Sequence, residues 1–392
     1  MNTIEKTEKF ITKSYGRLPL SIEESSGFAA GNESGGQYID FGAGIGVNSL
    51  GYCDSDWVKA VSEQAGLLQH TSNYYCNKPS ADFAEKICGV TGYTNVFFGN
   101  SGAEANECAI KTARKYSYDK YYKEGSPWTR NKIITLKNSF HGRTICTLSA
   151  TGQDDLHNYF FPFVEGFVHV EANNTVDLAE KLSGDVCAVM IEYIQGEGGV
   201  IPLEKSFVDF LYMLCSEKDV LVIADEVQTG AGRTGKFLTG EHFGYRSDIT
   251  TMAKGLFGGL PCGVCLVNEK CSGVLTAGTH GSTFGGNPVV TAGGNVVLDK
   301  VANPAFLEEV VKKSEYIRSK LSEIEEVESV DGMGLMLGIN LKTKKSGEVM
   351  KAALEKGLLV LTAKEKLRLL PPLAIDYDSI DKGINILKEV LA

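Results

Sequence analysis

Short runs of consecutive apolar, mostly β-branched residues alternate with helical patterns along this chain, and that alternation limits its fold more than any other feature. The clearest run is Val220-Leu221-Val222-Ile223-Ala224. A strand with one wet face alternates apolar and polar residues, so an unbroken apolar run needs cover on both faces. Comparable strands are predicted at 94–99, 132–136, 166–171, 186–193, 219–225, 249–253 and 263–267, with helical patterns at 55–68, 103–118, 175–182 and 205–218. Such a succession predicts an α/β fold with an open, mostly parallel sheet, whose ligands bind beyond the carboxyl ends of the strands. After residue 287 the texture changes. Helical patterns at 288–301 and 304–324 lead to short strands near 334–341, 358–361 and 367–370 and a closing helix at 378–391. We expect a large domain over 46–287 and a smaller α+β domain built from 1–45 and 288–392.

Charge and composition narrow the function. There are 39 basic and 49 acidic residues, a formal net charge of −10, which disfavours nucleic acid or an anionic membrane as partner. An apolar share of 43% and a charged share of 22% exclude disorder for most of the chain. Glycine, at 44 residues, exceeds ordinary usage without a triplet repeat, so many backbone positions need tight turns or close approach to a ligand. The first ten residues are polar and lack the pattern of a secretory signal, and no apolar run is long enough to span a membrane. The ten cysteines are therefore expected to be buried, reduced thiols of a cytosolic protein. The six histidines show no metal-ligand spacing, and no metal site is expected.

Several segments carry candidate chemistry. Phe97-Phe98-Gly99-Asn100-Ser101-Gly102-Ala103-Glu104 runs from strand into helix, with Ser101 and Glu104 at capping-box spacing. Gly102 and Ala103 put free amides with little side-chain bulk at the positive end of that helix, where a phosphate can dock, although an ordinary capped helix reads the same. Asp225 ends the most apolar strand. It is either a solvated strand end or the partner of a positively charged ligand nitrogen. Lys254 sits among Ala, Met, Gly and Leu, where burial would lower its pKa and make it a nucleophile and base, as against a snorkelling surface lysine. Two motifs are decoys. Gly230, Gly232 and Gly235 match the dinucleotide fingerprint without the helix it needs, and Phe237 stands where a P-loop requires Ser or Thr. Cys262 and Cys265 form a C-x-x-C without a second pair, which we read as buried thiols rather than a redox or metal site.

Taken together, these segments resemble the class III aminotransferases, pyridoxal-phosphate enzymes of fold type I. The resemblance runs from Tyr15-Gly16-Arg17-Leu18-Pro19-Leu20, through Ser139-Phe140-His141-Gly142-Arg143-Thr144, Gln195-Gly196-Glu197-Gly198-Gly199-Val200 and Ser282-Thr283-Phe284-Gly285-Gly286-Asn287-Pro288, to Leu367-Arg368-Leu369-Leu370-Pro371-Pro372. Within the class it is closest to the acetylornithine branch. The resemblance implies pyridoxal 5'-phosphate as cofactor, with Lys254 as its Schiff-base lysine and Asp225 on the ring nitrogen. It further implies Gln228 on the ring-hydroxyl side, Val227 beside it, Phe140 stacked on the ring, and Gly102 and Ala103 as phosphate cup. Thr283 would reach the phosphate of a neighbouring subunit, which makes the expected assembly a homodimer with shared sites. For substrate it implies Arg143, Ser282 and Tyr15 as contacts. Arg368 would take the carboxylate of glutamate or 2-oxoglutarate, covered by Glu197 in the other half-reaction. The implied reaction moves the terminal amine of N-acetylornithine to 2-oxoglutarate. Ornithine, succinylornithine and 4-aminobutyrate are the alternative donors, and a nucleotide-dependent enzyme using 230–236 is the alternative from another class. Ile45 stands where ornithine enzymes carry a tyrosine. Tyr52 and Tyr193 depart from the family's usual histidine and proline, at positions expected near the site.

Overall fold

The computed structural model of the chain describes residues 1–125 and 127–392. Its centre is a seven-stranded sheet: β1 (Asn95–Gly99), β2 (Lys132–Leu136), β3 (Phe167–Val170), β4 (Val186–Ile191), β5 (Leu221–Asp225), β6 (Ile249–Met252) and β7 (Gly263–Val267). The spatial order is β1-β7-β6-β5-β4-β2-β3, with β7 antiparallel to both neighbours and every other pairing parallel. The unbroken apolar runs have the expected cause. Val222 and Ala224 pack into a core on one face with Ile134, Val189 and Phe207, while Leu221 and Ile223 enter the opposite core with Ala109, Ile133 and Met190.

The helix Gly102–Tyr121 follows β1 directly and buries Ala105, Ala109 and Ala113, four residues apart, against the sheet. Its cap is half of the expected box. Ser101 Oγ accepts from the Glu104 amide at 3.2 Å, but the Glu104 carboxylate turns back to the Asn100 amide, 2.6 Å away, one residue earlier than the motif requires. The helices Pro288–Val301 and Pro304–Leu321 each start on an asparagine cap with proline in the first turn, which suits a missing N–H and a fixed φ.

Six of the larger elements were not legible. Strands Ile22–Ser26, Ala29–Asn32 and Gln37–Asp40 form a small sheet with Leu358–Leu359, a pairing between the two ends of the chain. Their residues are mostly polar or small, so no alternation marks them. Helix Lys78–Thr91 buries only Phe83, Ile87 and Thr91, too narrow a stripe to stand out. Strand Val327–Met333 is polar and is held by its hairpin partner Met336–Leu341. Helix Ser346–Glu355 buries Ser346, Val349 and Ala353 alone. The strand expected over 358–361 is divided instead: Leu358–Leu359 joins the N-terminal sheet, and Leu361–Ala363 pairs with Lys366–Leu369 in a second four-stranded sheet. One hydrophobic cluster runs from Met252, Val264 and Leu266 on the central sheet to Leu337, Leu369 and Ile384 near the C-terminus.

The cysteine expectation holds only in part. All ten are free and six are buried, but Cys53 and Cys76 are exposed. Cys262 and Cys265 lie in different cores, because residues three apart on a strand point to opposite faces.

Candidate active site

The carboxyl ends of β4 and β5, the amino end of helix Gly102–Tyr121, the turn at Lys254 and the 139–143 loop enclose a cavity of about 470 Å³. Gly102, Ala103, Phe140, Arg143, Glu197, Asp225, Val227, Gln228 and Lys254 all line it, so nine residues singled out from sequence converge on one space. This volume is in the range of ordinary cofactor sites.

Asp225 is buried and braced. Its Oδ2 accepts from Asn106 Nδ2 and from His141 Nδ1, each at 2.8 Å, and Oδ1 accepts from the Val227 amide at 3.0 Å. Asn106 is oriented in turn by Thr251, whose hydroxyl donates to Asn106 Oδ1 at 2.6 Å. Glu226, the next residue, faces away and accepts from the Thr239 and Gly240 amides; burial pushes its carboxyl up to about 7. Strand geometry thus separates the two acids and leaves only Asp225 in the cavity.

Lys254 follows β6 in a left-handed conformation, φ 43°, at the start of a short helical turn. Burial lowers its amine below the usual lysine range, against the pull of Glu197, Asp225 and Glu192. Gly102 packs so tightly that a Cβ there would lie 2.7 Å from a Val227 methyl. The Gly102 and Ala103 amides find no acceptor among the described residues and border the cavity. A carboxylate to partner the ring nitrogen, a low-pKa amine and a bare helix start are the three features that pyridoxal phosphate requires, and the donor set fits it.

Beside this floor, Glu197 and Arg368 form an ion pair at 2.7 Å, with a second contact of 3.3 Å. Gln228 bridges them, donating to Glu197 at 3.1 Å and accepting from Arg368 at 3.2 Å. Burial tends to raise the Glu197 carboxyl, but Arg368 outweighs it and holds the pKa below the usual value. Arg143 has no ion-pair partner among the described residues; its guanidinium lies 5.5 Å from the centre of the Phe140 ring. Sequence reasoning missed Glu192, which is buried and also lines the cavity. It accepts from the Phe140 amide at 2.9 Å and the Gly196 amide at 3.4 Å, and burial, reinforced by Asp225, pushes its carboxyl well up. The available signal was the one used for Asp225: an acid just past a fully apolar strand.

Other expected residues lie outside this cavity within one protomer. Ser282 borders the cavity only indirectly, accepting from Asn100 Nδ2 at 3.1 Å, whereas Thr283 and Tyr15 are exposed. Neither departure from the family pattern lies in the cavity wall. Tyr52 donates to Asp40 at 2.8 Å, and Tyr193 is buried behind β4, its hydroxyl 2.6 Å from that of Tyr212. The nucleotide decoy is spent on packing: Arg233 is buried and donates to the carbonyls of Leu335 and Pro371. Among the described residues no histidine, cysteine or acidic cluster could hold a metal ion.

Similar solved structures place this architecture among the aminotransferases. An ornithine aminotransferase from Toxoplasma gondii superposes with a TM-score of 0.93 at 29% identity, covering 100% of this chain and 95% of its own. An N-acetylornithine aminotransferase from Stenotrophomonas maltophilia gives 0.85 at 33% identity, covering 99% and 98%. The aminotransferase class-III family matches over residues 10–391, and the chain belongs to that family of pyridoxal-phosphate-dependent transaminases. Among sequence relatives, an acetylornithine aminotransferase from Haemophilus ducreyi is 46% identical over 385 residues, 98% of this chain and 96% of the relative.

Proposed function

We propose that the protein transfers the terminal amino group of N-acetylornithine to 2-oxoglutarate, giving N-acetylglutamate 5-semialdehyde and glutamate, as a cytoplasmic step in arginine biosynthesis. The observation that carries the chemistry is the single cavity uniting Lys254, Asp225 and the free amides of Gly102 and Ala103. The donor rests on the 46% identity to an acetylornithine enzyme across almost the whole chain.

In this reading, residues 46–287 form the cofactor-binding domain, completed by a smaller domain from 1–45 and 288–392. Pyridoxal phosphate, when bound, supplies the aldehyde that takes up the amino group and a ring that accepts electron density from the substrate carbon. Asp225, locked by Asn106 and His141, keeps a proton on the ring nitrogen. Gln228 serves the ring hydroxyl and Phe140 and Val227 the ring faces. Lys254 would hold the cofactor, and its neutral amine would move the proton at the substrate carbon. Arg143, a planar fork with no ion-pair partner among the described residues, takes the distal carboxylate of the donor, and Ser282 and Tyr15, outside the cavity within one protomer, are further substrate contacts in this reading.

The Glu197–Arg368 pair solves a two-substrate problem. While it is closed, Arg368 is neutralised and a donor reacts at an amine far from its carboxylate. When Glu197 turns aside, Arg368 binds the carboxylate next to the reacting carbon of glutamate or 2-oxoglutarate. The exposed Thr283 belongs to the site of a second subunit. Asn73 ties the 282–285 loop down by donating to the Ser282 and Gly285 carbonyls; Phe284 on that loop and Tyr74 and Tyr75 next to Asn73 in the chain are all exposed. Large aromatic side chains left exposed in this way suit a protein interface, here that of a homodimer.

Steady-state rates with 2-oxoglutarate and either N-acetylornithine or ornithine test the donor. We expect kcat/KM to favour the acetylated donor. A preference for free ornithine would overturn the assignment and favour the reading suggested by the Toxoplasma neighbour.

A further inference from the structure

The turn at 230–235, which imitates a nucleotide motif, carries the largest fully buried side chain among the described residues, Arg233. No carboxylate lies within ion-pair distance of it among those residues. Its Nη1 donates to the carbonyls of Leu335 at 3.0 Å and Pro371 at 2.5 Å, while Nη2 finds no acceptor among the described residues. The Arg233 carbonyl accepts from the Leu335 amide at 2.9 Å. A buried cation with no counter-ion and an idle nitrogen costs stability, so packing alone does not account for it. The glycines beside it fix its place. Gly232 and Gly235 are left-handed, and a Cβ on them would lie 2.7 Å from a Val301 methyl and 2.5 Å from a Val311 methyl. Helices Pro288–Val301 and Pro304–Leu321 thus press directly on the turn.

What Arg233 grips is the strand pair that carries Arg368. Leu335 leads into strand Met336–Leu341, whose Gly338 pairs with Arg368, and Pro371 follows strand Lys366–Leu369 by two residues. One guanidinium therefore ties both strands to the turn that follows Asp225 and Gln228. Arg368 is restrained in two ways. Its guanidinium is held by Glu197 at 2.7 Å and by Gln228 and the Gly196 carbonyl at 3.2 Å each. Its backbone is held by the strand pairing, and through that by Arg233. When Glu197 turns aside, the first restraint loses its charged member and the second remains. We propose that Arg233 is a positioning residue that keeps Arg368 in place for the carboxylate of 2-oxoglutarate once Glu197 has released it. The proposal rests on the gating role proposed above for the Glu197–Arg368 pair. While that pair is closed, Glu197 holds Arg368 whether or not Arg233 is intact, so the donor half-reaction is insensitive to it. Once the pair opens, slack in the two strands moves Arg368 directly, and a bidentate contact with a carboxylate tolerates little displacement.

Single-turnover titrations of the holoenzyme separate the two half-reactions. In Arg233→Lys, which keeps the charge but loses the fork, the half-saturating concentration of 2-oxoglutarate should rise about tenfold. That of N-acetylornithine should stay within about twofold of wild type. Arg233→Met should show the same split. Glutarate, a dicarboxylate without the reacting carbonyl, should bind both variants about tenfold more weakly by calorimetry. A purely structural role would lower the thermal midpoint and weaken both substrates in parallel, or weaken neither, and either result would overturn the proposal. Arg368→Lys separates this failure from that of the gate. Selective loss of 2-oxoglutarate there, with Arg233→Lys unaffected, leaves the gate standing and removes Arg233 from it. Equal loss of both substrates in Arg368→Lys removes the gate, and the proposal with it.

Discussion

Lys254 sits where its ordinary state, a solvated cation, is unavailable, and its behaviour follows from that. Unfolded, it keeps its proton to about pH 10.4; folded without cofactor, burial makes it release the proton earlier. Between those two values the unfolded chain binds more protons, so the stability of the apo-protein rises with pH across that window, and below it the cost of burying the cation is fully present. Lys254→Met should therefore have a higher urea midpoint than the wild-type apo-protein near neutral pH, with the gap closing as pH approaches about 10. A gap of constant size across the range would show that the amine is not the cause. In the holoenzyme, Lys254→Ala should abolish turnover and the borohydride-trapped pyridoxyl label, which peptide mapping reads directly. At Glu197 the expected effect is selective. Glu197→Gln weakens the hold on Arg368, so the preference for a terminal over an α-amine should fall about tenfold, measured as the ratio of the two kcat/KM values. An unchanged ratio would remove the gating role.

At the scale of elements, the strand–helix junction at Gly102 shows why local sequence sufficed for part of the site. Apolar run, cap and small residues adjoin in sequence, and their geometry follows from backbone rules alone. The close contact with Val227 does not, because it joins residues from separate turns. Gly102→Ala puts a methyl 2.7 Å from a Val227 methyl. We expect a stability loss of about 1–3 kcal/mol and a weaker hold on the cofactor, seen as release during dialysis that leaves the wild type loaded. The same limit explains the elements that escaped sequence reading. Ile22–Ser26 and Val327–Met333 are held by partners elsewhere in the fold, and polar strands of this kind carry no periodic signal of their own. Tyr193 and Tyr52 illustrate the converse: adjacency in sequence to site residues suggested the site, but strand alternation and side-chain direction took both elsewhere.

For the whole molecule, the prediction concerns how two copies share their sites. If Thr283 serves the partner's phosphate and Lys254 its own cofactor, Lys254→Ala and Thr283→Glu proteins should each be nearly inactive. Co-refolded, half of the random dimers are mixed, and each mixed dimer has one site with both native residues. About a quarter of wild-type activity should then return. No recovery, with mixed dimers demonstrated by mass, would place Thr283 outside the shared site. What the sequence by itself determined was the covered sheet, the identity of the amine and the acid at its edge, and the bare helix start, because apolar periodicity, cap chemistry and side-chain type act over a few residues. Only the tertiary structure decided that Glu226 turns away while Asp225 turns in, that Glu192 joins the cavity, that Arg368 reaches Glu197, and that Cys262 and Cys265 enter different cores. Each of those outcomes depends on strand register and on contacts between segments far apart in the chain, where the direction of a side chain is set by packing.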